Sequence, residues 1–368
     1  MKVAVLGAGN GGCAVAADMA YRGLDVTLIK TSNAMHDDNF NYLLKNNGKM
    51  ILKDFGENGS MNPQDLEVTE KIGYISKVTR DLALISEMDV VIIYIQTSYH
   101  EDLIKKIAPY LVDGQVVLIN PGYLSTAYML KHCGNKDLTI VEAQSSFIDG
   151  RIMKPGEFKV GFRNVRNPLG VYPAAKMEYA KEKLDQLGFP FHYMNSVVGA
   201  ALHNPNMIVH TIGSLLAMPM IDAMGDDFCM YHRSFTEHVW NVLEKLDDEK
   251  MNVLEKMGFE RLPYVEACKF RNSLDDSEDA KEVFFGYASM PTRAKGPVTV
   301  ESRYVTEDVP QGLVMLESLG LSLEVPTPIA TSLIEIANAA LGRDFREVGR
   351  TPEKLGVKNI QKILDDVK

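Results

Sequence analysis

Val3-Ala-Val-Leu-Gly7-Ala-Gly9-Asn-Gly-Gly12-Cys-Ala-Val-Ala-Ala17 is the stretch from which the architecture of the chain can be worked out. An unbroken apolar run enters a glycine-rich turn and leaves it as a helix of small residues. Gly7 permits the tight turn, Gly9 has no Cβ to block a pyrophosphate, and Gly12 lets the helix lie close to the strand. The free N–H groups of the helix start, those of Asn10 and Gly11 among them, would then face the phosphates. The pattern predicts a dinucleotide site, although glycines also make ordinary strand-to-helix turns.

A second strand favours the dinucleotide interpretation. Asp25-Val-Thr-Leu-Ile29 follows the glycine loop at the distance that one helix requires. Further along the chain, long segments with a 3.6-residue apolar period predict helices over 206–224, 234–257, 310–321 and 328–341. We therefore predict an α/β protein, with a Rossmann-type dinucleotide-binding domain over residues 1–196 and an all-helical domain over residues 197–368. The cleft between two such domains is a usual place for a substrate.

The second strand is followed by Lys30-Thr31-Ser32, which departs from the residues usual at this position of an NAD site. A site that prefers NAD usually has Asp or Glu here, whose carboxylate binds the ribose hydroxyls and would repel a 2′-phosphate. An ammonium followed by two hydroxyls would instead bind that phosphate, so these residues favour NADP. If Lys30 only points to solvent, NAD stays possible.

Three further strand ends fall at the edge where an open parallel sheet binds its ligand. Gln96, Pro121 and Glu142 each end or follow a continuous apolar run that suits a strand buried on both faces. We expect Gln96 and the loop at Pro121 to lie at the cofactor. Glu142 either contacts a ligand or is simply a loop carboxylate, and His100 either lies near the cofactor or starts a helix.

Length and composition limit the classes of function. A chain of 368 residues is long for a single hydrophobic core and is long enough to form two domains. The net charge of −10 argues against nucleic acid as a partner, since neutralising phosphates needs a surplus of Lys and Arg. The strand at the very start and the lack of an unbroken transmembrane-length run predict a cytoplasmic protein with no membrane partner. The four cysteines lack C-x-x-C spacing, so neither a metal site nor a disulfide framework is expected.

The second half of the chain contains two polar elements that suit chemistry. In Asn204-Pro-Asn206-x-x-x-His210 the first two residues suit an N-cap and a first helical turn, so His210 lies inside the helix among apolar residues. It is either a neutral core histidine or an acid/base. The second element is Arg303-Tyr-Val-Thr-Glu-Asp308. Its guanidinium can bind a carboxylate through two hydrogen bonds, and its acid Asp308 can orient a histidine. The alternative is that Asp308 caps the next helix.

With these elements in place, the chain resembles the octopine/nopaline (opine) dehydrogenase family over nearly its full length. The glycine loop, the 204–210 element and Arg303-Tyr-x-Thr-Glu-Asp308-Val-Pro310-x-Gly312 carry the resemblance, and residues 325–328 and 342–351 add to it. The fold class that this implies is 6-phosphogluconate-dehydrogenase-like, a Rossmann-type domain followed by a helical one.

The resemblance also implies a reaction. In that family a 2-oxo acid and an amino acid form an imine, which NAD(P)H reduces to a secondary-amine dicarboxylate. By the same resemblance His210 is the acid/base residue, Asp308 orients it and Arg303 holds a substrate carboxylate. Histidine suits the task because its ordinary pKa is the nearest to neutrality. The expected partners are these small molecules, with NADP or NAD as cofactor.

Two departures from the family pattern leave questions open. Thr211 stands where many members carry proline, so the helix could run on without a kink. The loop after Glu142, Ala-Gln-Ser-Ser, has fewer apolar residues than in relatives, which leaves the substrates undetermined.

Two other functions share this plan. Ketopantoate reductases and β-hydroxyacid dehydrogenases typically depend on a lysine of a second-domain helix, where this chain presents His210. The other alternative is a non-catalytic dinucleotide sensor. The 19 methionines fit core packing or an adaptable interface, which leaves a homodimer open.

Overall fold

The computed structural model describes residues 1–33, 35–55, 68–290 and 295–366, and within them strands occur only up to residue 194. Residues 36–63 form a polar, glycine-containing stretch for which the sequence predicts an excursion with short strands, and residues 56–63 of it lie outside the described residues. The strands are β1 (Lys2–Leu6), β2 (Asp25–Ile29), β3 (Lys49–Asp54), β4 (Thr69–Tyr74), β5 (Lys77–Thr79), β6 (Val90–Ile93), β7 (Val116–Ile119), β8 (Thr139–Ala143), β9 (Ile148–Lys154), β10 (Glu157–Arg163), β11 (Asn167–Tyr172) and β12 (Phe191–Met194).

Eight of these strands form one sheet in the order β12-β11-β8-β7-β6-β1-β2-β5. Neighbours run parallel except at β8 and β11, which pair antiparallel. Strands such as β6 and β7 are buried along their whole length, because helices cover both faces of the sheet. The predicted class, a Rossmann-type α/β part followed by a helical part, is confirmed.

The register of the sheet brings the functional loops to one edge. One row of paired residues crosses five neighbouring strands and consists of Ile29, Leu6, Ile93, Ile119 and Glu142. The loops that follow these residues, including the glycine loop, therefore leave the sheet side by side at its carboxyl edge. Such an edge is where open parallel sheets bind ligands.

A second sheet, in the order β4-β3-β10-β9, packs on the first helix; short strands are expected from the sequence in this part, but their pairing into a separate sheet is not. A Cβ at Gly150 would lie 2.3 Å from that of Ala14, so the absence of a side chain allows the close approach. Arg163 ties the layers together, with Nη2 at 2.7 Å from Asp18 and 2.5 Å from Asp54. The buried faces of β3 and β4 include Asp54 and Lys71, so apolar residues do not alternate regularly along these strands and the periodic signal in the sequence is weak.

Helices make up the ordered elements after residue 196 in the described residues, and several also lie between the strands. They are α1 (Asn10–Tyr21), α2 (Asp37–Lys45), α3 (His100–Ile107), α4 (Thr126–Cys133), α5 (Met177–Leu184), α6 (Val197–Leu202), α7 (Pro205–Leu215), α8 (Met218–Met224), α9 (Met230–Arg233), α10 (Glu237–Lys256), α11 (Tyr264–Asn272), α12 (Ala280–Ala288), α13 (Arg303–Thr306), α14 (Val314–Leu323), α15 (Pro328–Leu341), α16 (Pro352–Leu355) and α17 (Val357–Asp365).

The helix with the candidate histidine starts as predicted. Asn204 is the N-cap of α7, its Oδ1 accepting from the Asn206 N–H at 2.9 Å, and Pro205 is the first helical residue. Thr211 does not interrupt α7, since its hydroxyl donates to the Met207 carbonyl within the helix at 2.6 Å. The single helix predicted over 206–224 is instead α7 and α8.

Other helix predictions differ in detail. The helix expected over 310–321 begins with a π-helical turn, Val309–Leu313, before α14. No single described helix is long and apolar enough to cross a membrane; two helical segments, Val197–Leu215 and Met218–Asp227, pass that test only together and are bent by 70°.

The end of the chain returns to the first domain. Helix α17 packs against α4 and α6, and the Ala174 N–H donates to the Asp366 carboxylate at 2.7 Å. Helix α6, just beyond residue 196, packs on β8 and β11. Parts of the predicted second domain therefore complete the packing of the sheet.

Candidate active site

The glycine loop has the geometry that a dinucleotide requires. Gly7 has φ +121°, and a Cβ there would lie 2.3 Å from the Tyr94 carbonyl oxygen. A Cβ at Gly12 would lie 1.9 Å from the Gly7 carbonyl oxygen, so only glycine allows the helix to approach the strand. At Gly9 the nearest atom to a Cβ would be His36 Cδ2 at 4.0 Å, which leaves open space above the start of α1. These features fit a pyrophosphate.

The first turn of α1 offers backbone donors to that space. Gly9 is the N-cap and no side chain caps the helix, and the N–H groups of a first turn have no intrahelical acceptor. At Gly11 a Cβ would collide with the Tyr94 ring at 2.4 Å. The Asn10 side chain accepts a hydrogen bond from the Ile152 N–H at 2.9 Å, so Asn10 contributes its backbone here and its side chain holds the second sheet.

In the loop after β2, Lys30 neither points to solvent nor is free to bind a phosphate. The Lys30 side chain is 1% exposed, and its ammonium lies 3.3 Å from the Asp37 carboxylate and 3.1 Å from the Ser32 hydroxyl. Lys30 is thus enclosed and paired, whereas Thr31 is half-buried and Ser32 is exposed. A cation that the sequence did not single out, Arg80, reaches the same Asp37 at 2.7 Å.

The other predicted strand-end residues lie at the carboxyl edge, but with different surroundings. Gln96 is exposed after β6, and half-buried Pro121 follows a cis peptide bond after β7. Glu142 is fully buried, and its carboxylate accepts from the N–H groups of Leu124 and Thr126 at 2.7 and 2.6 Å. The predicted ligand contact by Glu142 thus gives way to a loop-supporting role, because both carboxylate oxygens are engaged inside the protein.

His210 and Asp308, ninety-eight residues apart in the chain, meet in the structure. His210 Nδ1 lies 2.7 Å from Asp308 Oδ2, and the Tyr304 ring stacks on the imidazole with centroids 3.6 Å apart. The Tyr123 hydroxyl donates to Asp308 Oδ1 at 2.9 Å. Burial and the nearby Asp308 raise the pKa of Tyr123 well above its usual range, so the phenol stays a donor. The pair is thus held by a loop of the first domain.

The neighbouring carboxylate, Glu307, bridges the two domains as well. It accepts from the N–H and the hydroxyl of Thr97, after β6, both at 2.8 Å. It also pairs with Arg303 Nε at 2.9 Å. The Arg303 side chain is 59% exposed, and because the ion pair uses Nε, the terminal fork of its guanidinium can serve a ligand.

Arg350 is a site residue that sequence reasoning missed, although it lies in the 342–351 segment. Its side chain is fully buried between the domains, and the guanidinium donates to Gln311 Oε1 at 2.8 Å and Ser125 Oγ at 3.0 Å. It also contacts the carbonyls of Tyr123 and Thr97. Only the tertiary structure shows that this arginine holds the loops after β6 and β7 in place.

A cavity of about 420 Å³ lies between the loop after β8 and α11. Its walls are mostly apolar, with Phe270 and Leu262 among them, and Gln144, His192 and His203 add polar groups. Burial lowers the pKa of His203 well below its usual range, so the ring is neutral. Within the described residues His203 Nδ1 is buried without a hydrogen-bond partner. His203 is thus a neutral histidine in the wall of the cavity.

Comparison with known proteins extends the resemblance. A family model described as the alpha-helical domain of NAD/NADP octopine/nopaline dehydrogenase matches residues 193–341. An opine dehydrogenase of Arthrobacter sp. (strain 1C) is 28% identical over 364 residues, covering 97% of this chain and 95% of that protein.

Solved structures agree with these matches. Octopine dehydrogenase in complex with NADH and agmatine gives a TM-score of 0.77 at 16% identity, with 99% of this chain and 98% of that one covered. Yersinopine dehydrogenase bound to NADP+ gives 0.72 at 16% identity, with 100% and 98% covered. These likenesses show the same fold over the whole chain. The family model over residues 193–341 and the Arthrobacter relative over nearly the whole chain make this protein similar to octopine/nopaline dehydrogenases.

Proposed function

We propose that this chain is an NAD(P)H-dependent opine dehydrogenase that joins a 2-oxo acid to the amino group of an amino acid, reversibly. One observation carries the proposal. His210 is paired with Asp308 at 2.7 Å, and Asp308 is in turn bound by Tyr123 from the loop after β7. That loop lies on the side of the glycine loop opposite β2, where the nicotinamide half of a dinucleotide is expected.

The residues described above would hold the cofactor, which when bound supplies the hydride that reduces the substrate C=N bond. The glycine loop would bind the pyrophosphate through backbone N–H groups. Gln96 and the loop at Pro121 would flank the nicotinamide half, and the loop after β2 would flank the ribose of the adenosine half.

His210 is placed to move the protons of the reaction. The amine nitrogen attacks the oxo carbon, water leaves, and reduction of the resulting C=N bond gives the secondary amine. With Nδ1–H donating to Asp308, Nε2 is the nitrogen that can take a proton from the amine and return one to the departing hydroxyl. The Asp308 carboxylate stabilises the imidazolium between these transfers.

We assign Arg303 to a substrate carboxylate, because its side chain is 59% exposed and its Nε is anchored by Glu307. We assign the side chain of the amino acid to the 420 Å³ cavity, whose walls are mostly apolar. His203, in its wall, is the residue after α6, and His210 lies inside α7, the next helix along the chain.

The reductase alternative would need an available lysine in the helical part. Lys250 of α10 is buried there, but its ammonium lies 2.5 Å from Asp247 and 3.1 Å from the Leu262 carbonyl. It therefore serves the packing of that helix and competes poorly with His210 as the acid/base group.

The test is oxidation of NADPH and of NADH by the purified protein across a matrix of 2-oxo acids, with and without amino acids. We expect oxidation that requires both substrates. Oxidation with the oxo acid alone would favour a hydroxyacid dehydrogenase, and bound cofactor without turnover across the matrix would favour a sensor.

The variant His210→Ala tests the assigned role, with the exposed His238→Ala as its matched control. Loss of the proton carrier should lower kcat by roughly 10²–10⁴-fold. Unchanged turnover in His210→Ala would refute the acid/base assignment, whatever the substrates prove to be.

A further inference from the structure

Arg80 lies at the adenosine end of the predicted cofactor site, although it is fifty residues beyond Lys30 in the chain. It follows β5, which pairs in parallel with β2 so that Thr79 stands opposite Ile29. The Lys30 N–H donates to the Thr79 carbonyl at 2.9 Å, which fixes Arg80 beside the loop after β2. In a Rossmann-type fold the end of this second strand faces the adenosine ribose.

The Arg80 guanidinium is held in one orientation. Nη1 donates to the Ser32 carbonyl at 2.6 Å and Nη2 to the Asp37 carboxylate at 2.7 Å. The group lies 4.8 Å from the centroid of the Phe40 ring. Its side chain is nevertheless 43% exposed. An ordered and accessible guanidinium of this kind suits the recognition of a phosphate.

Local charge favours an anion at this place. Asp37 is shared by Arg80 at 2.7 Å and Lys30 at 3.3 Å, so two cations face one carboxylate. These three side chains together carry one excess positive charge, although Asp38 and Asp81 adjoin them in the chain. Lys30 is enclosed, so the exposed share of that charge belongs to Arg80, next to the Ser32 hydroxyl.

We propose that Arg80, with the Ser32 hydroxyl, binds the 2′-phosphate of NADP and makes this chain select NADP over NAD. Lys30 is then a positioning residue, which holds Asp37 and the loop rather than the phosphate. This inference rests on the proposed dinucleotide site but not on the substrates of the reaction.

The test measures binding rather than turnover. Isothermal titration calorimetry of the full chain compares adenosine 2′,5′-bisphosphate, which carries the 2′-phosphate, with adenosine 5′-monophosphate, which lacks it. From the strength of charge-assisted hydrogen bonds we expect the bisphosphate to bind at least about tenfold more tightly, with a marked loss at high salt.

Three variants locate the effect. Arg80→Ala should remove the preference for the bisphosphate and leave the affinity for the monophosphate within about twofold, because only the phosphate contact is lost. Arg80→Lys, which keeps the charge but loses the planar fork, should retain part of the preference. The control is Arg261→Ala, an arginine of similar exposure that also pairs with carboxylates, and it should behave as the parent protein.

Equal affinity of the parent protein for the two nucleotides, or a preference that survives in Arg80→Ala, would overturn the inference while leaving an NAD-dependent function intact. Failure to bind either nucleotide, NADH or NADPH would overturn the dinucleotide site itself and the proposed function with it.

Discussion

Replacing Tyr123 by Phe tests whether the first domain controls the His210–Asp308 pair. The change removes the 2.9 Å hydrogen bond to Asp308 Oδ1 and little else, because the ring stays in its buried position. A hydrogen bond to a charged group contributes about 1.5–3 kcal/mol. If Asp308 needs that bond to hold the imidazole during proton transfer, the same free energy appears in the barrier. The expected loss of kcat is then roughly 10- to 150-fold, at about 1.4 kcal/mol per factor of ten.

The assay is steady-state oxidation of the reduced cofactor with saturating substrates, combined with cofactor binding measured by fluorescence. Tyr123→Phe should lower kcat and leave the Kd of the cofactor nearly unchanged. Tyr128→Phe, a buried tyrosine of α4 outside the pair, is the control and should keep the parent kcat. A Tyr123→Phe protein with parent kcat would show that Asp308 holds its place without the first domain, which refutes the reasoning.

Three further outcomes are expected. Asp308→Asn keeps the shape of the side chain but can donate where the carboxylate accepts, so kcat should fall by roughly 10³–10⁴-fold while the cofactor still binds in a fluorescence titration. Arg350→Met leaves buried acceptors without a donor and should lower the free energy of unfolding in urea by about 3–5 kcal/mol, against less than about 1 kcal/mol for the half-exposed Arg343→Met. Burial, with a smaller contribution from a nearby lysine, lowers the pKa of the His203 ring in the folded protein below its ordinary value near 6.5. As the pH falls below 6.5, the unfolded chain takes up a proton at His203 that the folded protein does not, so the free energy of unfolding falls. The free energy of unfolding in urea should therefore change less between pH 7.5 and pH 5.5 for His203→Gln than for the exposed His238→Gln. Equal changes in the two variants would contradict the assignment.

The parts that could be predicted from the sequence are those in which local pattern and tertiary structure coincide. The glycine loop could be predicted because the fold requires glycine at Gly7 and Gly12, where a Cβ would collide with a backbone carbonyl oxygen. The start of α7 at Asn204 could be predicted because its signals, an N-cap residue and a proline in the first turn, are adjacent in the sequence. Buried parallel strands such as β6 stand out as unbroken apolar runs.

The parts that could not be predicted depend on which segments the fold brings together. The sequence predicts that Lys30 binds a 2′-phosphate, but in the structure its ammonium is paired with Asp37, seven residues later in the chain. Arg80 reaches the same place only because β5 pairs with β2. Glu142 is turned inward because the loop after β7 presents two backbone donors to it. Nothing in the spacing of these residues distinguishes a ligand contact from an internal one.

The return of the chain end to the first sheet has a consequence for how the protein can be divided. A fragment that stops at residue 196 would lack α6, which packs on β8 and β11, and α17, which packs on α4. It would also lack the guanidinium of Arg350, which gathers the carbonyls of Thr97 and Tyr123. We therefore expect a fragment of residues 1–196 to fold less stably than the same residues do in the full chain.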